Sequence, residues 1–218
     1  MLALTLLLSF GVLGYLVAQG AADGLSYSGW VRDASLPVIA LLPVLGVLAM
    51  ASEWTQRTVL TTFTQTPRRM RVLTAKLLAA ATVGLVAIAV VDLAAAGALV
   101  VRGLILDAHV TWDGLASVLG GSAVAAGLAL VMGAALGALV MQTAAAIVAY
   151  FVAPNLVLLV VATLSPDNAR WVDVNEAFGW LSRFDLSGHV GPTLTALGLW
   201  VALPLAVGLW RSVRRNVS

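Results

Sequence analysis

Asp92 is the residue whose type and position most strongly suggest chemistry inside a membrane, because it is the only acid within a predicted span. Ionisable residues in spans commonly mark substrate or ion pathways. If the helix enters the membrane near Val72, a rise of 1.5 Å per residue places Asp92 about 30 Å further along, close to the outer interface. We therefore predict a structural polar contact for Asp92, with a role in a translocation path or gate as the alternative.

The other residues that commonly carry chemistry form no catalytic or metal-binding pattern. There is no cysteine, and His109 and His189 lie in separate predicted loops without carboxylate or cysteine spacing suited to a metal. The sequence has no GxxxxGK[ST] phosphate loop and no HExxH, and Lys76, the only lysine, lies at a span boundary. We predict that the chain is not an enzyme and binds no cofactor or metal itself. Three possibilities follow: a partner protein supplies the energy for transport, an ion gradient drives it, or the chain does not transport a substrate.

Small and polar residues inside the apolar segments suggest helix contacts. Gly133 and Gly137 form a GxxxG step, which lets helices approach closely, so we assign them to helix packing. Pro154 interrupts the fifth apolar segment and frees a backbone carbonyl. The adjacent Asn155 is assigned to a translocation path or to packing, including a central dimer interface.

The composition indicates a membrane protein. The chain has 218 residues, of which 61% are hydrophobic and 10% charged, whereas a soluble domain carries about 25% charged residues. The mean hydropathy is +1.01 and the pI is near 9.5. Because the basic residues lie at span boundaries, we interpret them as topology signals and not as a nucleic-acid surface. The first stretch, 1–19, lacks a basic n-region, and we interpret it as a retained span.

Six apolar segments predict an all-α polytopic fold in one transmembrane domain, 1–218. Continuous apolar runs favour helices over barrel strands. The uncharged stretch 115–164 would form one helix about 75 Å long, so we place a tight turn near Gln142. The predicted spans are 2–19, 36–52, 72–101, 115–141, 143–164 and 192–210.

The basic residues predict the orientation. Eight of the twelve lie in the segment 53–76 or in the C-terminal tail. Six spans put these two pieces on the same side, and cytoplasmic loops are rich in arginine and lysine. We therefore predict cytoplasmic termini. The other face would hold Arg32, Arg102, Arg170 and Arg183.

The largest predicted outer loop, 165–191, is rich in aromatic residues. Tryptophan and other aromatic side chains are enriched at membrane interfaces. Two interpretations stay open: short helices at the outer leaflet, or an ordinary loop anchored by an aromatic belt.

A basic, threonine-rich cytoplasmic segment, 53–71, separates the second and third spans. Val59, Leu60 and Phe63 share one face of a short helix. Such a short helix, flanked by β-branched threonines, is marginal without a surface to pack against. We expect that surface to be lipid headgroups or a partner protein.

A new helix is predicted to start at Thr66-Pro67, since proline suits the first helical position. It opens with a basic collar at the membrane boundary, which consists of Arg68, Arg69, Arg71 and Lys76. Cations in a first turn oppose the helix dipole. Membrane lipids can offset this, because anionic headgroups contribute about 1 kcal/mol per basic residue.

The segment resembles the permease subunits of type-2 ABC transporters. Six spans with short loops, and the stretch 132–157, are also similar to that family. The resemblance covers nearly the whole chain and is most specific in the cytoplasmic segment. The residues that carry it there are Glu53-Trp54, Arg57-Thr58, Thr61-Thr62, Pro67-Arg68-Arg69 and Ala75-Lys76-Leu77.

The resemblance implies a coupling helix that docks on a separate ATPase subunit, which would bind ATP and Mg. It further implies a second permease copy or a homologue as dimer partner, and export of an amphiphilic or hydrophobic substrate across a prokaryotic cytoplasmic membrane. Nucleic acid is not an expected partner. The residues implied in coupling are Glu53, Trp54, Arg57, Thr58, Val59, Leu60 and Phe63.

One departure from the family pattern is the start of the chain, where a basic amphipathic helix usually precedes the first span. Either the N-terminus is truncated or this member lacks that helix. Two other functions remain alternatives. One is a non-transporting membrane anchor or scaffold. The other is an ion-coupled carrier, which usually needs several buried ionisable groups and inverted repeats.

Overall fold

The computed structural model describes residues 2–19, 26–55, 69–106, 109–184 and 186–214, and helices occupy nearly all of them. The helices are α1 (Leu2–Gln19), α2 (Tyr27–Thr55), α3 (Arg69–Leu106), α4 (Leu115–Val140), α5 (Thr143–Leu164), a 3-10 helix (Pro166–Trp171), α6 (Val174–Ser182), α7 (Val190–Leu197), a π-helical turn (Gly198–Ala202) and α8 (Leu203–Arg214). An isolated bridge joins Ser26 and Thr111, and the described residues contain no β-strand. The fold class is therefore all-α.

Five helical segments in the described part of the chain are long and apolar enough to cross a membrane, as a multi-pass membrane protein requires. They are Tyr27–Ser52, Thr74–Leu106, Leu115–Val140, Thr143–Leu164 and Val190–Arg211. The apolar part of α1, Leu2–Ala18, is shorter. The sixth span and the side on which the termini lie remain predictions.

Helix α2 begins at Tyr27, well before the predicted span start at 36. Arg32 and Asp33 lower the hydropathy of this first part, but the helix continues because its other face is buried. Tyr27, Trp30 and Val31 are each at most 5% exposed and pack in the main core. Their spacing places them on one helix face, so packing and not hydropathy sets this boundary.

Helices α2 and α4 approach closely enough to bring their backbones into contact. A Cβ atom added at Gly133 would overlap the Pro43 carbonyl of α2, and one added at Gly46 would overlap the Leu130 carbonyl of α4. A Cβ atom at Gly137 would lie 2.9 Å from the Val47 carbonyl oxygen. Small residues permit this approach, which makes the α2–α4 pair the centre of the bundle.

A short turn separates α4 from α5 in the uncharged stretch where the sequence predicts a break. Met141 adopts a left-handed conformation with φ 57°, and its N–H donates to the Gly137 carbonyl at 2.9 Å. Gln142 is extended and precedes Thr143, where α5 begins. The left-handed residue ends α4 in the manner of a helix C-cap.

Helix α3 is longer than a bilayer requires. Its 38 residues correspond to about 57 Å at 1.5 Å per residue, whereas about 20 residues cross the hydrocarbon core. It extends past both ends of the predicted span 72–101. Its first residues, from Arg69, include part of the basic collar.

The last long helical segment contains a π-helical turn at Gly198–Ala202. The Leu203 N–H donates to the Gly198 carbonyl, five residues earlier, and Pro204, the next residue, has no N–H to donate. Within this turn the Trp200 Nε1–H donates to the Val172 carbonyl at 2.8 Å. That bond ties the helix to the segment between α5 and α6. The segment 165–191 thus contains two short helices, while their depth relative to a membrane remains a prediction.

Candidate functional site

A cavity of about 550 Å³ lies among α2, α4, α5 and α6. Its volume falls within the range of about 300–1,000 Å³ that is typical of small-molecule sites. The end where α2 begins and α6 ends is polar, and we call it the polar end; it is formed by Ser28, Arg32, Ser182 and Arg183. The opposite end, the apolar end, has Ile39, Met132, Phe151 and Phe178 in its lining, and the polar side chains of Tyr150, Asn155 and Asn175 also line the cavity.

Asp92 lies directly behind the cavity wall. It is 2% exposed, and its carboxylate accepts hydrogen bonds from the Ser35 Oγ of α2 at 3.2 Å and the Ser122 Oγ of α4 at 2.8 Å. Both serines also line the cavity. The three side chains therefore form a polar bridge, here called the Ser–Asp–Ser bridge, that joins α2, α3 and α4.

The bridge partners of Asp92 were not singled out from the sequence. Serine hydroxyls in apolar spans often bond across helices, which is the signal that could have found Ser35 and Ser122. Which serines meet Asp92 depends on how the helices pack, and one sequence alone does not report that. The geometry agrees with a structural contact, and it also places Asp92 one side chain away from the cavity.

Asn155 lies on the cavity wall in α5. Its Nδ2 donates to the Phe151 carbonyl of its own helix at 2.8 Å, and its side chain is exposed. The adjacent Pro154 is buried and also lines the cavity. The other residues of α5, apart from Ala146, are exposed or half-buried. This placement is compatible with a translocation path, and the predicted dimer interface is untested.

The predicted coupling residues fall mostly outside the described residues. Those that lie outside are Arg57, Thr58, Val59, Leu60, Phe63 and Arg68. The backbones of Glu53 and Trp54 belong to the last turns of α2. Arg69 begins α3, Arg71 is exposed on it, and Lys76 is partly buried. The docking hypothesis therefore stays a prediction.

The other chemistry-bearing side chains in the described part of the chain are scattered. The described residues contain no group of three or more histidine, cysteine, aspartate or glutamate residues placed to hold a metal ion. His189 stacks on Trp180 with ring centroids 4.3 Å apart, and its Nδ1 is buried without a hydrogen-bond partner among the described residues. His189 is therefore a packing contact between α6 and the start of α7.

No protein-family model, curated protein or solved structure matches the chain. The likeness to type-2 ABC permeases therefore rests on the residues between Glu53 and Leu77 and on the pattern of spans. It remains a proposal.

A polar clamp, here called the Asp113 clamp, holds the start of α2 next to the cavity. The Asp113 carboxylate accepts hydrogen bonds from Ser26 Oγ at 2.8 Å and Ser28 Oγ at 2.6 Å. The Tyr27 N–H also donates to the Thr111 carbonyl at 3.0 Å. The bonds from Ser28 and Ser26 hold the pKa of Asp113 below its usual range.

The lowered pKa of Asp113 predicts a pH-dependent contribution to stability. Because the folded pKa is depressed, the contribution is complete above the unfolded pKa, near about 3.9, and is lost as pH falls through the folded value. At pH 6 we expect Asp113→Asn to lower the Tm by roughly 1–3 °C. Below pH 3.9 this difference should shrink.

Scanning fluorimetry of the purified protein from pH 6 to pH 3 measures this difference. Asp167→Asn is the matched control, since Asp167 accepts no side-chain hydrogen bond among the described residues and should leave the Tm nearly unchanged at every pH. A Tm difference between wild type and Asp113→Asn that stays constant across this range would contradict the role of the clamp.

Proposed function

We propose that this chain is the permease subunit of an ATP-driven ABC exporter for an amphiphilic or hydrophobic substrate. It would work in a prokaryotic cytoplasmic membrane with a second permease copy or homologue and a separate ATPase subunit. The observation that supports transport best is the cavity of about 550 Å³, which has one polar and one apolar end. Support for the ABC class comes from the coupling-like segment 53–71.

A six-span topology gives the cavity its direction. Helix α1 has 18 residues, or about 27 Å, which is within the range of about 17–25 residues used by transmembrane helices. With α1 as the first span, both termini and the segment 53–71 share the basic, cytoplasmic side. The polar end of the cavity then faces outward, because α2 begins there.

The contacts within the bundle suggest how movement could reach the cavity. Helix α2 runs from the cavity to the start of the coupling segment, and α3 returns from its end. The Ser–Asp–Ser bridge ties both helices to α4, and the α2–α4 pair is in backbone contact at Gly133. Closure of a bound ATPase dimer would push this three-helix unit, whereas α5 is lightly packed and can separate from it.

The expected result of disrupting the coupling segment is loss of the ATPase partner. Combining Arg57→Glu with Leu60→Ala and Phe63→Ala removes the charge and the apolar face that a short docking helix would present. We expect co-purification with a co-expressed ATPase subunit that binds the wild-type chain to fall at least about tenfold, since docking anchors commonly carry 2 kcal/mol or more.

Arg170→Glu is the control for charge reversal, because Arg170 lies in the segment between α5 and α6 and should leave the partner bound. Binding that survives the triple substitution would overturn the docking assignment. A bound ATPase whose hydrolysis rate is unchanged by this chain and by amphiphiles would favour the scaffold and contradict the exporter.

A further inference from the structure

We propose that the cavity binds a single-chain amphiphile with an anionic head group. The head would lie at the polar end, between Arg32 and Arg183, and the chain would extend to the apolar end. Its role as an exported substrate rests on the proposed function, whereas binding itself does not. The argument uses the charge, the hydrogen bonding and the shape of the cavity.

Charge is the first reason. The described residues that line the cavity include Arg32 and Arg183 and no acidic residue. A guanidinium group matches carboxylate and phosphate geometry with two parallel hydrogen bonds. Two such groups at one end of an otherwise largely apolar cavity favour an anion there and disfavour a cationic head group.

Hydrogen bonding is the second reason, because the serine hydroxyls on the wall already donate elsewhere. Ser35 and Ser122 donate to Asp92, and Ser28 donates to Asp113. Ser182 donates to the Gly179 carbonyl at 2.9 Å. The Asn155 Nδ2 donates to the Phe151 carbonyl, and Tyr150 and Asn175 are neutral. The two arginines are therefore the charged donors among the described lining residues, and an anionic head group finds its strongest partners at the polar end.

The two arginines differ in how they are held. The Arg183 Nε–H donates to the Gly179 carbonyl at 2.9 Å, which positions the guanidinium and leaves its Nη groups without an acidic partner among the described residues. Arg32 lies 3.6 Å from Asp33, in a pair whose side chains are 62% and 42% exposed. Exposed pairs contribute little, so a ligand anion can compete for Arg32.

Shape is the third reason. The cavity passes from the polar end to a lining that is mainly apolar and includes Ile39, Met132 and Phe151. Burial of each CH₂ group contributes about 0.8 kcal/mol. The cavity volume of about 550 Å³ lies in the middle of the range for pockets that bind small molecules. This volume favours a ligand with one hydrocarbon chain over a lipid with two.

The test is calorimetric titration of the purified chain in zwitterionic phosphatidylcholine nanodiscs with dodecyl phosphate, with empty nanodiscs as the blank. We expect saturable binding that weakens at least about tenfold in the double variant Arg32→Gln and Arg183→Gln, because charge-assisted hydrogen bonds are lost. Arg170→Gln removes a charge from the same side of the protein without touching the cavity and should bind like wild type.

Further ligands test the head group and the source of the ligand. Dodecyltrimethylammonium should show no saturable binding, and inorganic phosphate alone should not displace dodecyl phosphate. Equal binding of the cationic analogue, or equal affinity in the double arginine variant, would overturn the proposal. Displacement by phosphatidylglycerol would identify a two-chain membrane lipid as the occupant and contradict a single-chain ligand.

A cavity-filling substitution tests the chain position independently. Ala40 lines the cavity near its apolar end and is exposed, so Ala40→Phe should occupy the space of the chain without unfolding the protein. We expect weaker binding of dodecyl phosphate and an unchanged Tm. Undiminished binding with the Tm retained would place the chain elsewhere.

These assays need neither ATP nor a partner subunit, so they separate the two proposals. If dodecyl phosphate binds but has no effect on a partner ATPase, the ligand site is supported and the exporter function is contradicted. If this chain stimulates a partner ATPase but does not bind dodecyl phosphate, the exporter function is supported and an anionic single-chain ligand is contradicted.

Discussion

Replacing Gly133 with alanine is expected to lower the free energy of unfolding by about 3 kcal/mol, at the upper end of the usual cost of overpacking. The added methyl group would overlap the carbonyl of Pro43 in α2. Backbone atoms cannot rotate away as a flexible side chain does, so the two central helices must separate. At about 2–4 °C per kcal/mol for a chain of this size, the Tm should fall by roughly 6–12 °C.

Gly127→Ala in the same helix is the matched control. A Cβ atom at Gly127 meets nothing within 4 Å, and alanine is a better helix former than glycine by about 0.5–1 kcal/mol. Its Tm should stay the same or rise slightly. Equal Tm values for the two variants in scanning fluorimetry would contradict the close α2–α4 contact. The comparison isolates packing because both changes add the same methyl group.

The all-α class follows directly from the sequence, because a chain with 61% hydrophobic residues in long continuous runs can satisfy its backbone in lipid only as helices or a closed barrel. The break between α4 and α5 could also be placed by length. The early start of α2 could not be predicted from the sequence, because Arg32 and Asp33 lower the local hydropathy. The helix begins there because Tyr27 and Trp30 are buried by tertiary contacts, which the sequence does not report.

The candidate site depended still more on packing. Asp92 stood out as an isolated acid, and its partners Ser35 and Ser122 are separated from it by 57 and 30 residues. No local pattern brings these three residues together. The cavity arises where four helices fail to fill the space between them, so its lining follows from helix positions that a single sequence does not report. The sequence predicted that Arg32 and Arg183 lie on the same side of the membrane. It did not predict that they line the same cavity.

Asp92→Ala is the second substitution with a large expected effect, and we expect it to lower the free energy of unfolding by about 2–3 kcal/mol. The change leaves the buried Ser35 hydroxyl without its acceptor, which costs about 1–3 kcal/mol, and it opens a small void. Ser122 is affected less, because its hydroxyl can donate instead to the Leu119 carbonyl, which lies 3.1 Å away. Thermal and denaturant unfolding in detergent measure the loss.

Two companion variants distinguish lost hydrogen bonds from lost charge. Asp92→Asn keeps the shape, since its amide oxygen can accept from one serine and its NH₂ can donate to the other; we expect a loss below about 1 kcal/mol. Asp92→Leu combined with Ser35→Ala and Ser122→Ala removes all the polar groups and should recover most of the stability lost in Asp92→Ala. A triple variant that is less stable than Asp92→Ala would contradict this account of the bridge.

The same Asp92→Asn variant also separates the exporter from the ion-coupled carrier. A carrier that binds its coupling ion at this carboxylate would lose ion-driven uptake completely, because the amide that replaces the carboxylate carries no charge to bind the ion. An exporter driven by a partner ATPase needs Asp92 to hold α2, α3 and α4 together, and the amide can do that. We therefore expect ATP-driven efflux from proteoliposomes to stay within about fivefold of wild type, in line with a bridge weakened by less than about 1 kcal/mol.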